Sequence, residues 1–272
     1  MSTHLATARA APTQPIHIGD HLREWRQRRH LSQLDLAGEA EISARHLSFV
    51  ETGRAAPSRD MVLRLAERLD VPLRERNVLL VAARFAPAFP QRGLDDPALK
   101  AARQAIDCVL KAHEPSPALA VDRHWNLVAA NDIVLPLLQG IAPELLAPPL
   151  NVLRLSFHPK GLASRTVNLA EWCAHLLERL HHQCEASADP ELLKLYRELK
   201  TYPVPARTAP ITPDSVVVPF KMRLGGDVLS FISTTMIFGT PLDITLSELA
   251  IETFFAADER TAARLRSIAA QK

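Results

Sequence analysis

The sequence predicts two domains, an all-α bundle of short helices followed by an α+β domain with an antiparallel sheet. The chain has 272 residues, and a single hydrophobic core rarely grows beyond about 250 residues. Helical patterns with tight connections fill residues 18–85, whereas the first strand-like segment begins at residue 118. The segment Phe85–Gly93 between them holds two prolines and a glycine, which is typical of a domain junction.

These patterns divide the chain into a flexible tail at residues 1–17, a helical domain at residues 18–85 and a larger domain at residues 95–270. No apolar run approaches the roughly 18–20 residues of a membrane span, and the N-terminus lacks the apolar segment of a secretory signal. The three cysteines are too few for a disulfide framework. We therefore expect a cytoplasmic protein without a membrane partner.

The formal net charge of +2 conceals an uneven distribution. Residues 1–90 hold 13 arginines, no lysine and 10 acidic residues, whereas residues 91–272 hold 19 basic and 20 acidic residues. A basic surplus on the N-terminal third fits a nucleic-acid partner. The surplus is small, so the function prediction depends on motifs.

The helical region contains clear helix starts and stops. Ser32 and Ser43 each precede a helical pattern, and serine is a favoured N-cap because its hydroxyl oxygen accepts a free backbone N–H. Asp35 completes a capping box with Ser32, and Gly53 is placed to end the second of these helices. Two helices joined by a turn of about three or four residues form a helix-turn-helix unit.

One motif in this region agrees in register over many positions and reads Leu31-Ser32-Gln33-x-x-Leu36-Ala37-x-x-Ala40-x-Ile42-Ser43-x-x-x-Leu47-Ser48-x-Val50-Glu51-x-Gly53-x-x-x-Pro57-Ser58. It resembles the XRE family of Cro/cI-like DNA-binding repressors. The resemblance covers roughly one quarter of the chain. Glu41 departs from the family, which usually has glycine at this turn position, and a residue with a Cβ is strained at positive φ.

The resemblance implies double-stranded DNA as a partner and assigns the contacts. The second helix of the unit enters the major groove, where the guanidinium fork of Arg45 matches two acceptors of guanine and Phe49 can touch a thymine methyl group. Further candidates lie beside them on this helix, at helix ends or in the loop that follows. Backbone and side-chain groups at such positions can hold phosphates. These further DNA-binding candidates are Gln33, Ser43, Ala44, His46, Arg54 and Arg59. Arg26 and Glu51 are expected to form a structural ion pair between helices.

The second region predicts an α+β fold with helices between its strands. Gly225-Gly226-Asp227 predicts a hairpin turn, and Thr245-x-x-Glu248 predicts a capping box for a helix over Leu246–Phe255. The predicted strand-like segments are Ala118–Val121, Leu127–Ala130, Ser215–Lys221, Asp227–Thr235 and Met236–Gly239. The other predicted helices are Pro97–His113, Leu169–Cys184, Pro190–Leu199 and Glu259–Ala269, the last capped by Asp258.

Four motifs in this region carry a second resemblance. They read Ala120-Val121-Asp122-x-x-Trp125-x-Leu127-Val128-x-x-Asn131, Asn151-x-x-Arg154, Asn168-Leu169-Ala170-Glu171-Trp172, and Phe238-Gly239-Thr240-Pro241-Leu242-Asp243-x-Thr245-x-x-Glu248-Leu249. The first looks like the opening of a PAS-type domain, and together they resemble the MmyB-like ligand-binding domain of bacterial regulators. The resemblance implies a pocket for an apolar small molecule such as a fatty acid.

Such a pocket needs an apolar lining and a few polar anchors. Ordinary core is the simpler interpretation of each lining candidate, and these candidates are Trp125, Leu138, Trp172, Phe220, Met222, Phe231 and Met236. Arg154 is the candidate anchor for a carboxylate, with His158 one helical turn away. A structural salt bridge is an equally good interpretation of Arg154.

One interpretation of Glu171, His175, Glu178 and His182 is a metal site, because these residues share one helix face. A solvated outer face explains this pattern more simply, since no second helix supplies matching histidines. No nucleophile elbow, phosphate-binding loop or zinc-protease motif is present. We therefore expect no metal, no cofactor other than a bound apolar ligand, and no enzymatic activity.

The sequence thus predicts a homodimeric transcription regulator whose second domain senses an apolar small molecule. Ligand binding would favour one arrangement of the two DNA-binding domains of the dimer. One alternative is a constitutive DNA-binding repressor whose second domain only dimerises or binds a protein partner. A metal-dependent enzyme built on the Glu/His helix is the weaker alternative.

Overall fold

The computed structural model describes residues 17–205 and 217–271. The chain separates into two compact units between Phe89 and Pro90. Residues 1–16 of the predicted tail lie outside the described residues, as do the first two residues of the predicted strand Ser215–Lys221. Each unit is described below by itself.

Over residues 17–89, the first unit is a bundle of five helices, as the sequence predicts. Ser32, Ser43 and Ser58 cap three of these helices, and each side-chain oxygen accepts the backbone N–H three residues on. Ser32 and Asp35 form the predicted capping box. The helices are α1 (Ile18–Arg28), α2 (Gln33–Glu39), α3 (Ala44–Glu51), α4 (Arg59–Arg68) and α5 (Leu73–Ala82).

The turn between α2 and α3 has the strained conformation that the sequence predicts. Glu41 adopts a φ of +56°, in the left-handed region that is costly for residues with a Cβ. Gly53 ends α3 at a φ of +72°, where glycine carries no such cost. The fully buried side chains Leu36, Leu47 and Val50 close the core behind this turn.

The start of α1 touches the end of α3 through backbone. A Cβ added to Gly19 would lie 2.5 Å from the carbonyl oxygen of Val50 and 2.6 Å from that of Glu51. Gly38, on the exposed side of α2, has no heavy atom within 4 Å of the same position. The two glycines therefore form a matched pair for substitution.

We expect Gly19→Ala to destabilise the first unit by about 1–3 kcal/mol, because α1 must move away from α3 to admit the methyl group. Gly38→Ala is the control, and it should stabilise by roughly 0.5–1 kcal/mol because alanine has the better helix propensity. Urea unfolding of both variants measures the difference. Equal stability of the two variants would contradict the close approach of α1 and α3.

The second unit is an α+β domain with a five-stranded antiparallel sheet, which confirms the predicted fold class. The strands are β1 (Ala118–Val121), β2 (Leu127–Ala130), β3 (Phe220–Leu224), β4 (Asp227–Ile237) and β5 (Ala250–Ala256). Their order in the sheet is β2-β1-β5-β4-β3. The helices are α6 (Lys100–Ala112), α7 (Val134–Leu137), α8 (Pro143–Leu146), α9 (Val152–Phe157), α10 (Leu169–Ser187), α11 (Pro190–Leu199), α12 (Ile244–Ser247) and α13 (Glu259–Ala270).

The late hairpin forms where the sequence predicts it. Leu224 pairs with Asp227 across a two-residue turn, and Gly225 takes a φ of +61° there, as tight hairpin turns require. β4 differs from the prediction in one respect. It is one continuous strand, not two segments divided at Met236.

The predicted helix over Leu246–Phe255 is wrong. Its start is only the single turn α12, which Asp243 caps, and the hydroxyl of Thr245 donates to the carbonyl of Arg92 instead of forming a capping box. The remainder is β5, which pairs with both β1 and β4 at the centre of the sheet. Ladder bonds on two sides and a run of β-branched and aromatic residues favour the strand over the local helix signal.

The sheet separates two cores because successive residues of a strand point to opposite faces. Phe231 and Phe254 belong with Trp172 and Leu176 of α10 on one face. Ile251 and Met236 pack with Ile106 of α6 on the other. Among the described residues, no helix is both long enough and apolar enough to span a membrane.

Candidate functional site

A buried carboxylate joins three helices of the first unit. The guanidinium of Arg26 donates from Nε to Oε1 of Glu51 at 2.7 Å and from Nη2 to Oε2 at 2.9 Å. Glu51 is only 2% exposed, and Gln33 donates from Nε2 to its Oε2 at 2.8 Å. The structure therefore contains the ion pair between α1 and α3, and it adds Gln33 of α2 as a third member.

The contacts of Glu51 determine its charge. Burial by itself raises the pKa of a carboxyl group, but the hydrogen bonds from Arg26 and Gln33 and the positive charges of Arg26 and Arg23 together outweigh burial, and the pKa of Glu51 lies below its ordinary value. The hydrogen bond to Glu51 in turn raises the pKa of Arg26. Both groups are charged at neutral pH, so the pair holds the end of α3 against α1.

The outward face of α3 carries the side chains predicted to read DNA. Arg45 is exposed, whereas Ala44, His46 and Phe49 are half-buried. The guanidinium carbon of Arg45 lies 5.4 Å from the centre of the Phe49 ring, which is within the range of a cation–π contact. Phe49 therefore supports the arginine, whose side chain stays exposed.

The remaining DNA candidates lie at the ends of helices. Arg54 and Arg59 are exposed on either side of the loop between α3 and α4. The hydroxyl of Ser43 accepts from the backbone of His46 as the cap of α3. Gln33 is at the start of α2, where one of its amide hydrogens is already held by Glu51. Ser43 thus lies at the N-terminal end of α3, whereas Gln33, Arg54 and Arg59 lie at its C-terminal end and along the loop after it.

The second unit contains an apolar cavity between the sheet and helices α9 and α10. Its volume is about 100 Å³, several times the roughly 10–15 Å³ that one water molecule needs. Six of the predicted ligand residues line it: Trp125, Leu138, Trp172, Phe220, Met222 and Phe231. Three others, Arg154, His158 and Met236, do not.

Arg154, the expected carboxylate anchor, forms a salt bridge in the structure. This agrees with its interpretation as a structural residue and not with its interpretation as a ligand anchor. It donates from Nε and Nη2 to the two carboxylate oxygens of Glu198 at 2.7 and 2.8 Å. The hydrogen bond to Glu198 raises the pKa of Arg154. Its neighbours Leu153 and Leu155 line the cavity, whereas Arg154 faces α11. His158 likewise lies outside, with its ring 5.6 Å from that of Tyr202.

Met236 is also a correction, because it lies on the other face of the sheet. It lines a second apolar space, between α6 and the sheet, together with Ile106, Val109 and Ile251. Phe231 and Met236 are five positions apart on one strand, and residues separated by an odd number point to opposite faces. The prediction treated them as parts of two segments and so missed this parity.

The charged residues at the cavity are Arg179 and Glu252, which the sequence analysis did not select. Arg179 on α10 donates from Nη1 to Oε2 of Glu252 at 2.8 Å, and its Nη2 donates to Oε1. The guanidinium carbon lies 4.7 Å from the centre of the Trp125 ring. Gln183, one turn further along α10, accepts from the indole N–H of Trp125 at 2.7 Å.

A signal for Arg179 was present in the sequence, but none was available for Glu252. Trp172, Leu176, Arg179 and Gln183 follow at steps of four, three and four, and therefore share one face of α10. Glu252 lies in β5, which local patterns assigned to a helix. Only its place in the sheet brings its carboxylate to the cavity.

The Glu/His face of α10 does not assemble a metal site. Among residues 17–205 and 217–271, no three His, Cys, Asp or Glu side chains are grouped so that they could hold an ion. His175 lies against Trp172, with ring centres 5.5 Å apart. Burial raises the pKa of the nearby Cys173 thiol to about 12, so this thiol is protonated at neutral pH and a poor metal ligand.

Comparisons with known proteins match both regions. The family model described as the MmyB-like transcription regulator ligand binding domain matches residues 102–268, and a helix-turn-helix domain matches residues 17–79. No curated protein matches the sequence. A solved structure, the clp gene regulator ClgR from Corynebacterium glutamicum, is similar at 23% identity and a TM-score of 0.22, covering 36% of this chain and 90% of that one.

Proposed function

The chain belongs to the family of MmyB-like transcription regulators, and on that premise we propose that an apolar small molecule in the cavity of its second unit controls how its first unit binds DNA. The chain is thus a DNA-binding transcription regulator with a ligand-binding domain. The proposal adds the kind of effector, the place where it binds and the residues that read the operator.

The cavity within the matched ligand-binding region carries this proposal. The side chains around it are almost all aliphatic or aromatic, and two tryptophans, Trp125 and Trp172, are among them. Small-molecule sites have this character, an apolar lining with a few polar groups at one place. We take the effector to be of the fatty-acid type, because a hydrocarbon chain matches such a lining.

On the DNA side, we propose that Arg45 reads a guanine and that Arg54 and Arg59 hold phosphates. An arginine fork pairs with the two major-groove acceptors of guanine, and Arg45 is the exposed arginine on the outward face of α3. Gln33, Ser43, Ala44, His46 and Phe49 complete the proposed contact surface. A homodimer would present two such helices to half-sites about one helical turn apart.

The effector acts by shifting a population. A ligand changes DNA binding only if it binds one arrangement of the dimer more tightly than another. We propose that the cavity differs between the two arrangements, so that filling it changes the affinity for the operator. The sign of the effect is left to the experiment.

The experiment uses Ser233→Phe as a cavity-filling variant and Thr234→Phe as its control. Ser233 lines the cavity, whereas Thr234 is the next residue of β4 and points to the opposite face, where it is exposed. Full-length protein is stripped of lipid, incubated with a saturating concentration of octanoic acid or octanol, and assayed for operator binding. The ligand should change the operator affinity of the wild type and Thr234→Phe, but not that of Ser233→Phe.

Native mass spectrometry of the purified protein gives a second readout. A bound apolar molecule on the wild type that is missing from Ser233→Phe supports the proposal. Repeated absence of any ligand, together with no thermal shift from either probe, would favour the constitutive regulator whose second domain only dimerises or binds a protein.

A further inference from the structure

We propose that the cavity is built for an amphiphile whose polar end carries no charge, such as an alcohol, an ester or a protonated acid. This inference rests on the proposed function, because it concerns the same cavity. It narrows the effector by the electrical state of its head group, a property that the apolar lining does not specify.

The lining of the cavity is electrically neutral because its two charges cancel each other. Among the described residues, Arg179 and Glu252 are the only charged side chains around it. They form a bidentate pair, and the side chain of Glu252 is 4% exposed. Arg179 is half-buried, and a guanidinium that already has a carboxylate in this geometry does not attract a second anion as a free cation would.

The pair is also fixed from several sides. Thr235 accepts from Nη2 of Arg179 at 2.7 Å and donates to Oε1 of Glu252 at 3.1 Å. Trp125 covers one face of the guanidinium. A ligand carboxylate at Arg179 would place a second anion beside Glu252 with one guanidinium to balance both, and displacing Glu252 would leave a buried carboxylate without its partner, which is strongly unfavourable.

Within residues 17–205 and 217–271, no other nearby basic group is placed to balance a ligand anion. Arg154 is held by Glu198, and Arg165 donates to the main-chain carbonyls of Leu137 and Gln139. Burial and the charge of Arg179 lower the pKa of His175, so the imidazole is neutral at neutral pH. None of these three side chains lines the cavity.

An uncharged oxygen finds suitable partners at the same place. Arg179 uses three N–H groups for Glu252 and Thr235, so two of its five N–H groups remain for an acceptor. Ser233 adds a hydroxyl to the lining, which can donate or accept. A hydroxyl, an ester carbonyl or a protonated carboxyl can therefore bind without disturbing the ion pair.

The test compares three probes with the same hydrocarbon length, namely octanol, methyl octanoate and octanoate, on full-length wild-type protein at neutral pH. Binding is followed by tryptophan fluorescence and by calorimetry, because Trp125 and Trp172 both line the cavity. We expect the two uncharged probes to bind at least about tenfold more tightly than octanoate, because octanoate must place a second anion beside Glu252.

Glu252→Gln removes the negative charge at nearly constant shape and leaves Arg179 as a cation. Octanoate should then bind to this variant at least about tenfold more tightly than to the wild type, while the affinity for octanol should change little. Glu198→Gln is the matched control, since it opens the ion pair of Arg154 outside the cavity, and its probe preference should equal that of the wild type. If Glu252→Gln does not fold, the wild-type comparison decides by itself.

The outcomes separate this inference from the proposed function. Octanoate binding to the wild type as tightly as octanol would overturn the uncharged head group and leave an apolar effector in place. Failure of all three probes to bind would overturn both. The expected order, with the preference for uncharged probes lost in Glu252→Gln and kept in Glu198→Gln, supports the inference.

Discussion

Replacing Arg45 by alanine should remove the preference for the operator sequence while leaving salt-dependent, nonspecific DNA binding largely intact. A bidentate arginine–guanine contact contributes about 1–3 kcal/mol of discrimination, or roughly 5- to 150-fold per site. Nonspecific affinity comes from phosphate contacts instead. Arg45 is exposed and its recorded contact is with the neighbouring Phe49 ring, so the fold should tolerate the change. Selection from a random DNA library followed by titration at two salt concentrations measures both properties.

Arg59→Ala is the matched control for this prediction. Arg59 is also exposed, but we place it at a phosphate. Its loss should weaken binding to all sequences alike and reduce the slope of log affinity against log salt by about 0.9. If Arg45→Ala still selects the same operator, the assignment of base reading to Arg45 is wrong.

Glu51→Ala should destabilise the first unit by roughly 3–5 kcal/mol, because it leaves Arg26 without its buried partner. For a domain of this size each kcal/mol lowers the melting temperature by about 4–8 °C. Hydrogen exchange of α1 and α3 amides measures the loss within this unit. Glu24→Ala is the control, since the pair of Glu24 with Arg28 is a surface pair, and surface pairs contribute about 0–1 kcal/mol. Equal losses in the two variants would refute the stabilising role of Glu51.

The same carboxylate predicts a pH dependence. The folded-state pKa of Glu51 is lowered from the ordinary 4.5, so its contribution to stability is complete above the unfolded-state pKa. It is lost as the pH falls through the lowered folded-state pKa. The stability difference between the wild type and Glu51→Gln should therefore shrink as the pH drops from about 6 towards 3. A difference that stays constant over this range would contradict the ionised, paired state.

Most of the first unit could be predicted from local sequence. The caps Ser32 and Ser43, the strained turn at Glu41 and the helix end at Gly53 all depend on residues within one helical turn of each other. Such signals act through hydrogen bonds and φ preferences that need no distant partner. The Arg26–Glu51 pair spans 25 positions, and the family resemblance, not local pattern, placed it.

The second unit shows where local signals fail. Thr245-x-x-Glu248 has the pattern of a capping box, yet the segment after it is the central strand of the sheet. Its neighbour β1 begins more than 100 positions earlier in the chain, and its other neighbour β4 begins about 20 positions earlier. Pairing on both sides depends on contacts that no window of neighbouring residues contains. The same error concealed Glu252, which lies in this strand.

The sequence by itself determined the helix-turn-helix unit, the division into a helical and an α+β domain, and the family. It also identified six side chains of the cavity wall. These features could be predicted because apolar periodicity, caps and motif register are properties of neighbouring residues. Only the tertiary structure decided which charges meet at the cavity. Arg179 and Glu252 are 73 positions apart, and their pairing depends on α10 packing across β5. It is that packing which makes the lining of an apolar cavity electrically neutral.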